Sequence, residues 1–202
     1  MKKIMFNDEY GLTTAVLNGK KTMTRRAVSA KLLQKYGHNK FNDRSKDLIF
    51  DAQFSIGEVV AVAQRYSDIA DDKFFVNEIA ADELTVNAMK YEHGWNNKQG
   101  VKACYMPHHI RITDIKVERL QDISDEDVYK EAFTKEFVNT GCGNAAYHEE
   151  AILVYYDNKG LTKQIRSREP KEAFSFLIDK VSGNGTWERN PWVFAYTFEL
   201  ID

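Results

Sequence analysis

Leu17-Asn18-Gly19-Lys20-Lys21-Thr22-Met23-Thr24-Arg25-Arg26 is the stretch on which the reading of this chain turns. Just upstream, Leu12, Ala15 and Val16 form the apolar face of a short helix, with Asp8 as its expected N-cap. Gly19 is well placed as the C-terminal glycine of such a helix. The eight residues from Gly19 to Arg26 then hold four cations and two hydroxyls. Such a run is poor core material. It suits holding an anion, or setting an amine beside a hydroxyl nucleophile. The alternative is a solvated turn whose cations pair with the last carbonyls of the helix.

Working outward, the strongest remaining signals are strands. Ile4 to Phe6 reads as a short strand, and Ser55-Ile56-Gly57-Glu58 as a turn into a buried strand over Val59–Ala63. Arg111 to Leu120 alternates, with Ile112, Asp114 and Lys116 assigned to one face and Thr113, Ile115 and Val117 to the other. Ser124 caps a helix whose first turn, Asp125-Glu126-Asp127, complements the helix dipole. Ile152–Tyr156 and Leu161–Ile165 flank Asp157-Asn158-Lys159-Gly160, a hairpin signal. Glu169-Pro170 opens a helix with Phe174, Leu177, Ile178 and Val181 at helical spacing, closed by Gly183-Asn184-Gly185. Trp192 to Leu200 is a final strand with Trp192, Phe194, Tyr196, Phe198 and Leu200 on one face.

Short strands without regular intervening helices predict an α+β fold, a small mixed β-barrel with peripheral helices. The chain of 202 residues fits a single domain, with insertions expected at about 27–53, 66–104 and 134–173. Residues 27–53 and 134–170 are expected outside the barrel core and more mobile than it, because their apolar periodicity is low.

Composition narrows the function classes. Charged residues make up 29% of the chain but nearly cancel, to a formal net charge of −2. That argues against a broad, sequence-blind nucleic-acid binder, though not against a local basic pocket. The start, Met1-Lys2-Lys3-Ile4-Met5-Phe6, is followed at once by Asn7-Asp8-Glu9, too short an apolar run for a signal peptide. No apolar run approaches membrane-spanning length. Cys104 and Cys142 form no CxxC pattern and read as free thiols, so a cytoplasmic location is expected. His108-His109 would face opposite sides of a strand, and no zinc site or other cofactor is expected. Gly141-Cys142-Gly143-Asn144 lacks the lysine of a phosphate-cradling loop.

Together these pieces resemble the ASCH family of small PUA-like β-barrels. The opening stretch looks like that family's G-x-K-T-x-T-x-R signature, supported by Gly57-Glu58-Val59-Val60 and the strand-to-helix run from Arg111 to Ala132. Val117 to Ser124 and Gly185 to Val193 are similar to a larger, phage- and prophage-associated branch. The resemblance implies a PUA-like fold over about 1–26, 54–64, 105–132 and 174–202. It further implies, by its best-understood branch, an amidohydrolase that removes the acetyl group from 4-acetylcytidine. Carried over by motif, Lys21, Thr24 and Glu131 are the expected catalytic residues; Arg26, at the signature arginine, and the neighbouring cations Lys20 and Arg25 are the expected substrate-binding ones. Thr24 supplies a hydroxyl, which Lys21 can deprotonate only while its own amine is neutral. Glu131 either protonates the leaving amine or binds the base. Other relatives are linked to RNA binding or cleavage, so the expected partners are a nucleoside or RNA. A non-catalytic binding module, and a prophage accessory protein acting through a protein partner, stand as alternatives.

Overall fold

The computed structural model describes residues 1–36, 48–72, 75, 77, 83–139, 147–156 and 160–202. The Gly141-Cys142-Gly143-Asn144 run, the Asp157-Asn158-Lys159 turn and parts of the 27–53 and 66–104 segments lie outside them. The architecture is α+β, with two sheets and several helices.

The larger sheet contains β1 (Lys3–Ile4), β2 (Met23–Ala27), β3 (Val59–Val62), β4 (His109–Arg119) and β8 (Trp192–Leu200) in the order β1-β3-β4-β8-β2. β1 and β3 are parallel and the other pairs antiparallel. The sheet does not close by backbone pairing among the described residues: β1 and β2 are its two edges. A side chain spans the gap instead. Arg26 on β2 donates from Nη2 to the Met5 carbonyl just beyond β1, and its guanidinium lies over the Phe6 ring, 5.7 Å from the centroid. The expected barrel is therefore observed as an open sheet whose edges are joined by an arginine.

The alternation assigned to β4 needs correcting. A bulge lies between Ile112 and Asp114, where Ile112 pairs with Phe198 and Asp114 with Thr197. The extra residue, Thr113, shifts the parity, so that Ile110, Ile112 and Ile115 are all buried while Asp114 and Lys116 are exposed. β8 lies centrally, between β4 and β2, and buries residues of both faces, Val193 and Ala195 as well as Phe194 and Tyr196.

The smaller sheet is β5 (Thr134–Asn139), β6 (Tyr147–Tyr156) and β7 (Thr162–Ser167), antiparallel throughout. The β6–β7 hairpin matches the expected one and extends further on both strands. Segments expected outside the core contribute to it: Val28 and Leu48 from the first, Ala151, Leu153 and Ile165 from the last. In β6 the four residues from Glu150 to Leu153 are all buried, and burying Leu153 or Ile165 is worth about 1.5–3 kcal/mol each. Residues of 66–104 build a satellite core instead, in which Tyr66, Ile69, Phe75, Met89 and Val101 pack on Ala61 and Ala63 of the β3 region.

Helix α1 (Leu12–Leu17) is entered through Gly11 rather than capped by Asp8. The Asp8 carboxylate accepts from the Thr13 hydroxyl at 2.7 Å and from the Lys98 ammonium. At the other end Gly19 has φ 67°, with Gly19 N–H on the Val16 carbonyl and Lys20 N–H on Ala15, the paired bonds of a Schellman ending. This tight stop turns the chain from α1 into β2. The other α-helices among the described residues are α2 (Ala30–Tyr36), α3 (Tyr66–Ile69), α4 (Glu83–Met89), α5 (Asp125–Lys130), α6 (Pro170–Ser182) and α7 (Thr186–Arg189). Ser124 caps α5 by accepting from Asp127 N–H, and Pro170 occupies the first turn of α6, as expected.

Candidate functional site

The Schellman ending of α1 and the end of α5 meet through backbone. Thr22 N–H donates to the Lys130 carbonyl at 2.9 Å, and Lys21 and Glu131 form an isolated antiparallel bridge. Residues 110 positions apart are thereby set side by side. The Lys21 ammonium donates to Glu131 Oε2, and both side chains are almost fully buried, 2% and 5% exposed. A buried charge pair of this kind holds only if the remaining polar atoms are also satisfied.

Arg25 supplies that satisfaction. Its Nη1 donates to Glu131 Oε1 at 3.0 Å, its Nε to Glu118 Oε1 at 2.9 Å and its Nη2 to Asp127 Oδ2 at 3.2 Å. The three carboxylates come from β4, the first turn of α5 and the C-cap of α5, so one guanidinium ties β2 to both elements. Its outer face lies over the Phe174 ring, 5.9 Å from the centroid. Burial opposes the charge on Asp127, but Lys130, Arg25 and Lys116 outweigh it and hold that carboxyl below its ordinary value.

A cavity of about 230 Å³ opens here. Lys21, Thr24, Arg25, Arg26 and Glu131 form its polar side, and Phe174, Leu177, Ile178 and Val181 of α6 form much of the apolar wall. Thr24 is buried and lines the cavity; its hydroxyl has no hydrogen-bond partner among the described residues. Burial pushes the Lys21 amine below its ordinary value; Glu131 resists this, and the Arg26 and Arg25 charges add to it. Arg26 is half-buried and makes no ion pair among the described residues. Its remaining N–H groups are available to a carbonyl, an oxyanion or a hydroxyl.

Of the residues expected from sequence, Lys21, Thr24, Arg26 and Glu131 converge on this cavity. Lys20 does not: it is exposed and lines a different cavity, of about 350 Å³, between α1 and β6. Lys20 and Ala132 line that cavity together, while their chain neighbours Lys21 and Glu131 line the first. Arg25 lines the cavity, but its donors are taken by carboxylates, which makes it a positioning residue for Glu131 rather than a free substrate ligand. Sequence reasoning missed Glu118 and Asp127. Asp127 had a sufficient explanation as a helix-dipole residue, and Glu118 is one of several charges on β4. A partial signal was available in Ile178 and Val181: they continue the apolar face of α6 but stay half-buried, because they border the cavity.

Comparison of the chain with protein-family models, with curated proteins and with solved structures finds no match in any of the three. Among the described residues, no helix is long and apolar enough to cross a membrane.

Proposed function

We infer that this chain is an ASCH-type, PUA-like protein whose cavity binds a nucleoside or an extruded RNA base, and that it hydrolyses an amide on an acylated pyrimidine nucleoside. The observation that carries the reading is the meeting of the buried side chains of Lys21, Thr24 and Glu131 at one cavity across 110 residues of chain. An amine lowered by burial, an unengaged hydroxyl and a carboxylate are the groups that amide hydrolysis needs. The cavity is smaller than the ~300–1,000 Å³ of typical drug-sized sites, which suits one planar ring with a short acyl group.

The chemistry follows from the positions. Thr24 Oγ1 adds to the acyl carbonyl carbon as the neutral Lys21 amine takes the hydroxyl proton. The oxyanion is held by Arg26 N–H donors. Collapse breaks the C–N bond; the exocyclic amine leaves with a proton delivered through the Lys21–Glu131 pair. The acyl group remains as an ester on Thr24, and water hydrolyses it, returning the proton to the hydroxyl. Arg25 holds the Glu131 carboxylate in place throughout.

A second reading has its own support. Lys21, Glu131 and Arg25 satisfy one another without any ligand, which suits a base-binding module whose floor is rigid. Incubating the protein with N4-acetylcytidine and following release of cytidine by chromatography separates the two. Turnover lost in Thr24→Ala, with binding kept, supports hydrolysis. Binding without turnover, abolished by Lys21→Ala, assigns the chain to the binding class.

A further inference from the structure

Strand β2 turns its two edges to different neighbours. Phe198 N–H donates to the Thr22 carbonyl and Val28 N–H to the Trp192 carbonyl, each at 2.9 Å, just before and just after the β2–β8 ladder. These bonds fix the parity of the ladder. Thr24 and Arg26 turn their N–H and C=O groups to β8, while Met23, Arg25 and Ala27 turn theirs to the opposite edge, which pairs with no strand among the described residues.

The cavity that holds Lys21 and Glu131 lies off that edge. Successive side chains of a strand point to opposite faces, yet Thr24 and Arg26 from one face and Arg25 and Ala27 from the other all border it. Only a space beside the edge meets both faces. Its far wall includes Met5, Phe6 and Asn7, just past β1, the other edge of the sheet. The cavity therefore sits between the two edges of the open sheet.

Arg25 gives this edge its chemistry. Its side chain is committed to three carboxylates, but its main chain is not: among the described residues neither its N–H nor its C=O has a hydrogen-bond partner. The residue is nevertheless buried, 8% exposed. Buried main-chain groups without a partner are rare, so this pair points to a ligand. A donor and an acceptor side by side on one strand residue would be met by the C=O and N–H of a neighbouring strand. In a flat ring the equivalent feature is a ring-nitrogen acceptor beside an exocyclic N–H.

We propose that the Arg25 main chain reads the base of the substrate: its N–H donates to the ring nitrogen next to the scissile amide, N3 of a cytosine, and its C=O accepts from the N–H of that amide. This rests on the nucleoside reading above and adds the base-reading group that Lys21, Thr24 and Glu131 do not supply. It defines the substrate class as a ring nitrogen beside an acylated exocyclic amine that keeps its hydrogen. It also assists the chemistry. When the C–N bond breaks, its electron pair passes to the exocyclic nitrogen and is shared with N3, where the Arg25 N–H meets the developing charge. The proton then reaches the exocyclic nitrogen from the Lys21–Glu131 pair, as above.

The test uses the wild-type protein with three nucleosides: cytidine, 3-deazacytidine, in which C–H replaces N3, and the pyrimidin-2-one ribonucleoside, in which hydrogen replaces the amino group. None carries an acyl group, so the outcome is independent of hydrolysis. Calorimetry is expected to show each analogue binding at least about tenfold more weakly than cytidine. Amide exchange followed by nuclear magnetic resonance locates the contact. In the free protein the Arg25 N–H is expected to exchange faster than the ladder-bonded N–H groups of Thr24 and Arg26, and saturating cytidine to slow it at least about tenfold, with no such effect from 3-deazacytidine. Equal affinity for all three nucleosides overturns the proposal and leaves the nucleoside reading standing. So does an Arg25 N–H that is as protected as its neighbours before ligand is added, or one that cytidine leaves unchanged. If cytidine does not bind at all, the nucleoside reading falls and takes this assignment with it.

Discussion

Lys20 and Lys21 are adjacent in the chain and open onto different cavities. The Lys20 side has the larger volume, and its lysine is exposed. The Lys21 side is smaller, and there a lysine, an arginine and two carboxylates are more than nine-tenths buried. Volume alone does not distinguish a site from a groove. The distinguishing property is that one side withdraws charges from water, which is unfavourable unless every one is partnered. Such a cluster is a poor source of stability compared with apolar packing, so its presence at one cavity and absence from the other points to function.

The contrast is sharpest at Arg25, whose loss leaves Glu131 short of a partner and weakens Asp127 and Glu118. Arg25→Ala is expected to destabilise the protein by about 3–5 kcal/mol, read as a lower midpoint in urea unfolding with the slope unchanged. A loss below about 1 kcal/mol would mean that the cluster is as dispensable as the Lys20 groove.

Next comes chemistry. Thr24→Ala is expected to lower turnover of N4-acetylcytidine by about 10²–10³-fold, with the dissociation constant for cytidine within about twofold of wild type. Full activity in Thr24→Ala would transfer the nucleophile's role to a water activated by Lys21 or Glu131.

Acidity provides a finer probe. Because burial lowers the Lys21 pKa from 10.5, a base role predicts a rate that rises with pH along a limb centred below 10.5. The stability counterpart has a definite sign. Between the native pKa and 10.5 the unfolded chain binds more protons than the native one, so wild type gains stability with rising pH relative to Lys21→Met in that window. Parallel stability curves for the two proteins would place the Lys21 titration at its ordinary position and remove the case for a neutral amine.

The smallest effect belongs to the other side of the bridge. Lys20→Ala is expected to change stability by less than about 0.5 kcal/mol and turnover by less than about twofold. A tenfold loss of activity would show that the two cavities act together and that their separation by the bridge is only apparent.

Local chemistry was the legible part of this fold. Gly19, Ser124 and Pro170 each mark a helix boundary by a backbone requirement that one residue type meets, and the structure places all three accordingly. Strand existence was also legible, from the apolar runs at Val59–Ala63 and Trp192–Leu200. The facing of β4 was not, because one bulge residue reverses a period-two pattern and Thr113 looks like any other strand residue. The role of Asp8 failed for a related reason: its carboxylate is drawn to Thr13 and Lys98, and a lysine 90 residues away leaves no local mark. The site divides in the same way. Lys21 and Thr24 stand in one short run, and Glu131 was reached through resemblance. Glu118 and Asp127 are defined only by their distance to Arg25, which belongs to the tertiary structure.

Among the described residues, strand β2 pairs in the larger sheet with β8 alone, with Met23 facing Thr197 and Ala27 facing Val193. During synthesis, the strand carrying Thr24, Arg25 and Arg26 therefore emerges early and waits without a ladder partner until residues 192–200 have followed it. Closing so long a loop is a late event in folding. A chain lacking residues 192–200 has Lys21 and Thr24 in its sequence but no ladder partner for the strand that carries Thr24.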